Sequence, residues 1–169
     1  MFMHQELVYL GFLVSKGNMK MDPSNMEVIL DWPTPKTGIR VRSFHGLTQL
    51  YRKFVRNFSG ICAPILETIK GGLKIKLKWT EAMEKAFQTL KQEVATKPIL
   101  LLPNFYKFFS IECNASNVVV GGVLSQQGRP MAFFSEKLNE EKKKYLAYEL
   151  EFYALVQSLK KWMHYFQPK

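Results

Sequence analysis

The spacing of apolar positions changes along the chain, and each change predicts an element. Val8 to Val14 is apolar and rich in strand-forming residues, is broken at Gly11 and closes on Ser15-Lys16-Gly17-Asn18, which predicts a strand or hairpin. Asp22-Pro23 supplies the cap and first-turn proline of a short helix with Met26, Ile29 and Leu30 on one side. Trp32-Pro33-Thr34-Pro35 ends it, because the residue before a proline is pushed out of the helical region. Phe44, Leu47, Leu50, Tyr51, Phe54 and Phe58 then recur at steps of three and four, predicting one helix from about Ile39 to Phe58. After a Gly71-Gly72 break, Leu73, Ile75, Leu77 and Trp79 alternate like a strand. Thr80 reads as the cap of a helix to about Thr96, with Ala86, Leu90 and Val94 as its apolar stripe and Lys97-Pro98 as its stop.

Pro103-Asn104 marks a boundary. Beyond it Lys107 to Cys113 alternates as a strand, and Gly121–Gln126 with Met131–Ser135 predicts a hairpin around Gln127-Gly128-Arg129-Pro130. Asn139 opens a long helix in which Tyr145, Tyr148, Phe152, Leu155, Leu159 and Trp162 repeat helically. There is no internal repeat or low-complexity tract.

Charge alters this picture. The 169 residues suit one ordinary domain or two small ones, and 24 Lys and Arg against 14 Asp and Glu leave a formal charge of +10. Such a balance favours a polyanion, either nucleic acid or an anionic membrane surface. From Trp32 to Leu66 there are six Lys or Arg and no acid. Arg42, His45, Gln49, Arg52 and Arg56 share a second face of the predicted helix. A solvated helix usually mixes signs to gain pairing, so a uniformly positive face favours phosphate contact. Cys62 and Cys113 stand apart without a partner motif, which suits a reducing compartment, and the three histidines are too scattered for a zinc site. No apolar run is long enough to span a bilayer and Met1-Phe2-Met3-His4 does not begin a signal peptide, so the chain reads as intracellular, without a membrane partner.

Several motifs resemble a known family. Tyr9-Leu10-Gly11-Phe12-Leu13-Val14-Ser15, Trp32-Pro33-Thr34-Pro35-Lys36, Arg42-Ser43-Phe44-His45-Gly46-Leu47 and Tyr51-Arg52-Lys53-Phe54-Val55-Arg56-Asn57-Phe58-Ser59 resemble the Pol polyprotein of gypsy-type long-terminal-repeat retrotransposons. Trp79-Thr80, Pro98-Ile99-Leu100, Leu124-Ser125-Gln126 and Phe134-Ser135-Glu136-Lys137-Leu138-Asn139 continue the likeness in family order. Glu112-Cys113 and Glu151-Phe152-Tyr153 look most like plant elements. The resemblance implies an α+β architecture: residues 1–22 as the end of a reverse transcriptase palm, 23–72 as a helical thumb-like region, 73–104 as a connection, and 105–169 as a truncated RNase H-like domain with a mixed sheet, its first three strands and its first helix. Leu10 and Gly11 would belong to the hairpin that grips a primer, and Arg42, Arg52, Lys53 and Arg56 to the nucleic-acid face.

The same resemblance implies which chemistry to look for. RNase H hydrolysis uses two Mg²⁺ ions, and these need clustered carboxylates. The family's first ligand, an Asp before Ala-Ser, is Asn114 in Asn114-Ala115-Ser116-Asn117, and its helical Glu is Glu151. Glu112 shares the strand face of Asn114, while Glu149 reads as a solvated helix residue. The polymerase's Tyr-x-Asp-Asp hairpin does not occur in this sequence, and the remaining ribonuclease acids would lie past Lys169. Glu151 is then the one metal ligand that maps, so Mg²⁺, a cofactor of the parent family, is not expected to bind and hybrid cleavage is not expected. Val119 and Gly38 are further departures from the family pattern, and Val119 is expected to disturb the turn after the strand. Three readings follow: an enzyme fragment by descent, whose partners are RNA–DNA hybrid or duplex and the remainder of the polyprotein; a basic nucleic-acid-binding module without chemistry; and an unstable relic.

Overall fold

The computed structural model describes residues 6–67, 69, 77–96 and 99–167. The predicted Gly71-Gly72 break, most of the strand around Leu73 and Ile75, and the Lys97-Pro98 stop lie outside the described residues.

Three short strands open the chain: β1 (Glu6–Tyr9), β2 (Phe12–Ser15) and β3 (Asn18–Met21), paired in antiparallel order. The β1–β2 turn is made by Leu10 (φ 49°) and Gly11 (φ 80°), a two-residue left-handed pair whose twist suits a hairpin. Helix α1 (Pro23–Leu30) follows at once, because the Asp22 carboxylate accepts from Ser24 N (3.1 Å) and Pro23 occupies the first helical position.

The single helix expected over 39–58 is instead broken into α2 (Gly38–Gln49), a 3₁₀ turn (Arg52–Phe54) and α3 (Phe58–Glu67). Thr48 Oγ1 donates back to the carbonyl region of Phe44 and His45 (3.1 Å each), Val55 is extended, and Asn57 sits at φ 57°. The break turns the chain so that Tyr51, Phe54 and Phe58 all reach the core, whereas Leu50, on the predicted buried face, is left 58% exposed. Gly38 is the first residue of α2, capped by Thr37 Oγ1, so its helix penalty is not incurred at an interior position.

Helix α4 (Glu81–Thr96) runs as its pattern predicts, with Thr80 Oγ1 accepting from Met83 N (3.3 Å). Strand β4 (Leu100–Leu101) then returns to pair with β3, giving the order β1-β2-β3-β4. Buried residues between Met21 and Leu100, among those described, thus share one core that includes Phe87, which is fully buried against Phe44 (centroids 4.7 Å) and Trp79 (5.8 Å).

The second sheet is β5 (Ser110–Ala115), β6 (Val119–Gln126) and β7 (Arg129–Lys137). Both pairings are antiparallel, where the resemblance implied a mixed sheet; the connections are too short for a parallel crossover. The β6–β7 turn closes in two residues, Gln127 (φ 53°) and Gly128 (φ 72°), so Arg129 and Pro130 join β7 rather than the turn. Val119 pairs regularly with Lys137 and does not disturb the preceding turn, which Ser116 closes by accepting from Val119 N (3.1 Å) and donating to Val119 O (2.9 Å).

The last helix does not start at Asn139. Asn139 Oδ1 caps only a 3₁₀ turn (Lys142–Lys144), accepting from Lys142 N (2.9 Å), and the chain is extended again at Tyr145. Helix α5 (Ala147–Phe166) begins after it, with the Glu149 carboxylate accepting from Leu146 N (2.7 Å); Glu149 is a cap, not merely a solvated residue. The face it lays on the sheet is Leu150, Ala154, Ser158 and Trp162, while Tyr148 and Phe152 remain 67% and 68% exposed. Small residues are needed there, because a side chain on Gly122 would run into Ser158 Oγ and Trp162.

Phe87→Ala is expected to cost about 3–5 kcal/mol, as for other large core truncations, read from the urea midpoint. Gly122→Val is expected to cost about 1–3 kcal/mol by overpacking the α5 contact. A midpoint unmoved in either variant would contradict the packing described.

Candidate nucleic-acid and metal sites

The break after α2 divides the expected basic face. Arg42 on α2 and Arg56 beyond the 3₁₀ turn are exposed. Arg52 turns inward and its Nη2 donates to Ser135 O on β7 (2.9 Å), with the guanidinium 6.0 Å from the Phe58 ring centroid. Lys53 turns the other way: its Nζ stands 4.0 Å from the Phe12 ring centroid, and burial pulls its pKa down. Two of the four predicted phosphate-binding cations therefore hold the two sheets, and two face solvent.

Ser135 is the junction. It is 2% exposed; its Oγ accepts from Ser59 N (2.9 Å), and its carbonyl accepts from Ser59 Oγ (2.8 Å) and Arg52. Lys137 and Glu67 form an ion pair beside it. Arg52 and Ser59 stand in the Tyr51–Ser59 motif and Ser135 in the Phe134–Asn139 motif, but no spacing along the chain marks that they meet. His45 lies near this seam, its ring centroid 5.9 Å from that of Phe58, and burial, then Arg52, lowers its pKa.

Leu10 and Gly11 form the β1–β2 tip. Gly11 O accepts from Tyr51 OH (3.2 Å) and Asp22 N (3.1 Å), and a Cβ on Gly11 would approach Tyr51 Oη to 2.9 Å. The tip is thus docked on the helical segment, with the Leu10 side chain 75% exposed.

Alternation decides where Asn114 points. Cys113, Gly122 and Phe134 are cross-strand partners on the face covered by α5, where Cys113 Sγ meets Ser158 Oγ (3.6 Å) and Phe134 meets Trp162 (centroids 6.3 Å). Asn114, Gly121 and Ser135 are the next set of partners and take the opposite face, toward α3. There a cleft of about 600 Å³ is lined by Arg56, Asn57, Glu112, Asn114, Ser116 and Ser135, among others. Glu151 is exposed on α5 and is not among the lining residues of that cleft.

The donor set does not suit a Mg²⁺ pair. The cleft contains one carboxylate, Glu112, with Asn114 offering an amide oxygen and Arg56 a positive charge. Hard divalent ions need several anionic oxygens, and a guanidinium in the same cleft opposes them. Among the described residues no group of three or more His, Cys, Asp or Glu is placed to hold a metal.

Residues 79–169 match the family described as the RNase H-like domain found in reverse transcriptase. The chain is 38% identical over 164 residues to the retrovirus-related Pol polyprotein from transposon 297 of Drosophila melanogaster, covering 97% of this chain and 15% of that protein. It is 36% identical over 170 residues to the Pol polyprotein from transposon gypsy of the same organism, covering 95% and 16%. The chain therefore spans about one sixth of the length of these curated relatives. Among solved structures, the foamy viral protease-reverse transcriptase in complex with dsDNA superposes with a TM-score of 0.86 at 21% identity, covering 95% of this chain and 34% of that one. The same viral protein in complex with RNA/DNA hybrid gives 0.85 at 21%, covering 93% and 22%. At that identity the likeness is one of fold.

Ser135→Ala is expected to leave the Ser59 N–H without its acceptor and to cost about 1–3 kcal/mol, measured by urea unfolding. A second expectation concerns pH. The folded His45 holds its proton less tightly than the unfolded residue, whose pKa is about 6.5. Its contribution is whole above that value and is lost as the pH falls through and below it. His45→Gln should flatten the stability profile between about pH 7 and pH 5; an unaltered profile would refute the assignment.

Proposed function

Because the chain belongs to the family of RNase H-like domains found in reverse transcriptases, we propose that it is the thumb-to-RNase H segment of a retrotransposon Pol polyprotein, and that it grips duplex nucleic acid without cleaving it. In this reading residues 1–22 end the palm, 23–72 form the thumb, 73–104 the connection and 105–169 the RNase H-like unit. The parent protein would carry out RNA-directed DNA synthesis and hydrolysis of RNA in RNA–DNA hybrid.

The observation that carries the proposal is the Ser135 junction. It ties the basic helical segment to the sheet bearing Asn114, so that Arg56 and Asn114 line one cleft. A phosphate held at Arg56 would lie at that cleft. The solved neighbours' complexes with dsDNA and with RNA/DNA hybrid support the same class of ligand here. Lost acidity supports the absence of cleavage: Asn114 keeps an oxygen but not the charge that anchors a divalent ion. When bound in the parent family, Mg²⁺ supplies an activated water and stabilises the leaving oxygen. No step is derived through it here, since the residues in the cleft do not fit it.

The open apolar face of α5, where Tyr148, Phe152 and Met163 are all more than half exposed, favours a second reading as an aggregation-prone relic. A single cooperative unfolding transition of purified monomer would count against it.

The double variant Arg42→Ala/Arg56→Ala is expected to weaken hybrid binding and to reduce the slope of log affinity against log salt by about two, one for each phosphate released. An unchanged slope would reject the duplex interface. Labelled RNA in a hybrid should stay intact in Mg²⁺; release that disappears in Glu151→Gln would overturn the non-cleaving assignment.

A further inference from the structure

At the end of the molecule away from the cleft, the loop between β4 and β5 presents two rings wholly to solvent. Tyr106 is 100% and Phe108 is 96% exposed. Their neighbours Phe105 and Phe109 point the other way, into a ring cluster with Tyr165 and Phe166 of α5 (centroids 5.7–6.4 Å). The loop is not slack. Gln126, fully buried, donates from Nε2 to Asn104 O (2.8 Å) and Lys107 O (3.0 Å), and its Oε1 accepts from Asn104 N (3.0 Å). Asn104 Oδ1 also accepts from Tyr106 N (3.0 Å). A buried amide with three backbone bonds thus clamps a loop whose two outward rings serve no packing of their own. Beside it lies a groove of about 1020 Å³ between the loop and the C-terminal turn of α5.

The electrostatics of this end have one sign. Lys16, Lys107 and Arg129 are exposed around the loop, which is tied to the β2–β3 turn through Leu102 N donating to Gly17 O (2.9 Å). Lys107 and Arg129 donate to the amide oxygens of Gln127 and Asn18, partners that leave their charge uncompensated. Segments 16–19, 99–111, 126–130 and 160–167, which build this end, contain no Asp or Glu.

We propose that this loop is a stacking platform for single-stranded nucleic acid, with Tyr106 and Phe108 receiving bases and Lys16, Lys107 and Arg129 the backbone phosphates. Unpaired bases offer the faces that exposed rings can stack on, whereas a duplex hides them, and cations around the rings select a polyanion over an apolar protein surface. The site shares no residue with the duplex interface and does not rest on it.

The test uses the whole chain, a labelled oligo(dT) and a blunt duplex of equal length. Tyr106→Ala/Phe108→Ala is expected to weaken single-strand binding by about thirtyfold or more, the combined loss of two stacking rings, and to leave duplex binding unchanged. Arg42→Ala/Arg56→Ala should do the reverse, so failure of one interface is distinguishable from failure of the other. Tyr106→Trp supplies a direct reading, with fluorescence quenched by oligo(dT) and not by duplex; it remains informative if the double variant folds poorly. Absent single-strand binding, equal losses on both probes, or a fluorescence response of the Tyr106→Trp variant to anionic vesicles alone would each overturn the proposal.

Discussion

Ser135 gathers three donors, Ser59 N, Ser59 Oγ and the Arg52 guanidinium, within 2.8–2.9 Å while almost fully buried. This polar seam joins the helical segment to the second sheet, beside the Lys137–Glu67 ion pair and the packing of Phe133 against the first core. Because the acceptors are one residue's hydroxyl and carbonyl, their geometry allows one register of β7 against α3, and a slip of one residue would turn Ser135 to the α5 face. The cost of burying polar groups without partners makes that register selective as well as stable.

The constraint has consequences at both ends. Arg52 is drawn from the predicted basic face to the seam, and Lys53 is left against the aromatic ring of Phe12, so the positive face that remains is narrower than a continuous helix would offer. On the sheet, fixing Ser135 toward α3 also fixes Gly121 and Asn114 on that face, leaving Phe134, Gly122 and Cys113 for α5. The helix approaches closely because Gly122 and Ser158 have little or no side chain, and Tyr148 and Phe152 are turned outward. Asn114 then looks into a cleft with Arg56 and one carboxylate, an environment suited to an anion more than to a pair of divalent cations.

Much of this was legible in the residues. Asp22-Pro23 and Thr80 marked helix starts, and the motif order pointed to the reverse transcriptase family that residues 79–169 match. The α+β class followed, as did the β6–β7 hairpin. Illegible were features whose cause is remote in sequence. Leu50 and Phe54 obey the same spacing, yet one is exposed and one buried, since the break at Val55 and Asn57 is set by docking rather than by periodicity. The apolar repeat from Tyr148 to Trp162 marked a helix, but of its members Trp162 alone is buried, and the sheet takes Leu150, Ala154 and Ser158 beside it.

By itself the sequence determined what local chemistry controls: where α1 and α4 are capped, where the hairpins turn, and that the balance of charge is positive. Those properties depend on neighbours a few residues away. Tertiary structure alone decided which cations face solvent, which side of the sheet carries Asn114, and which rings remain uncovered. Each of those outcomes depends on contacts between residues as distant as Arg52 and Ser135, whose pairing is a matter of shape and unmet hydrogen-bonding demand rather than of any pattern along the chain.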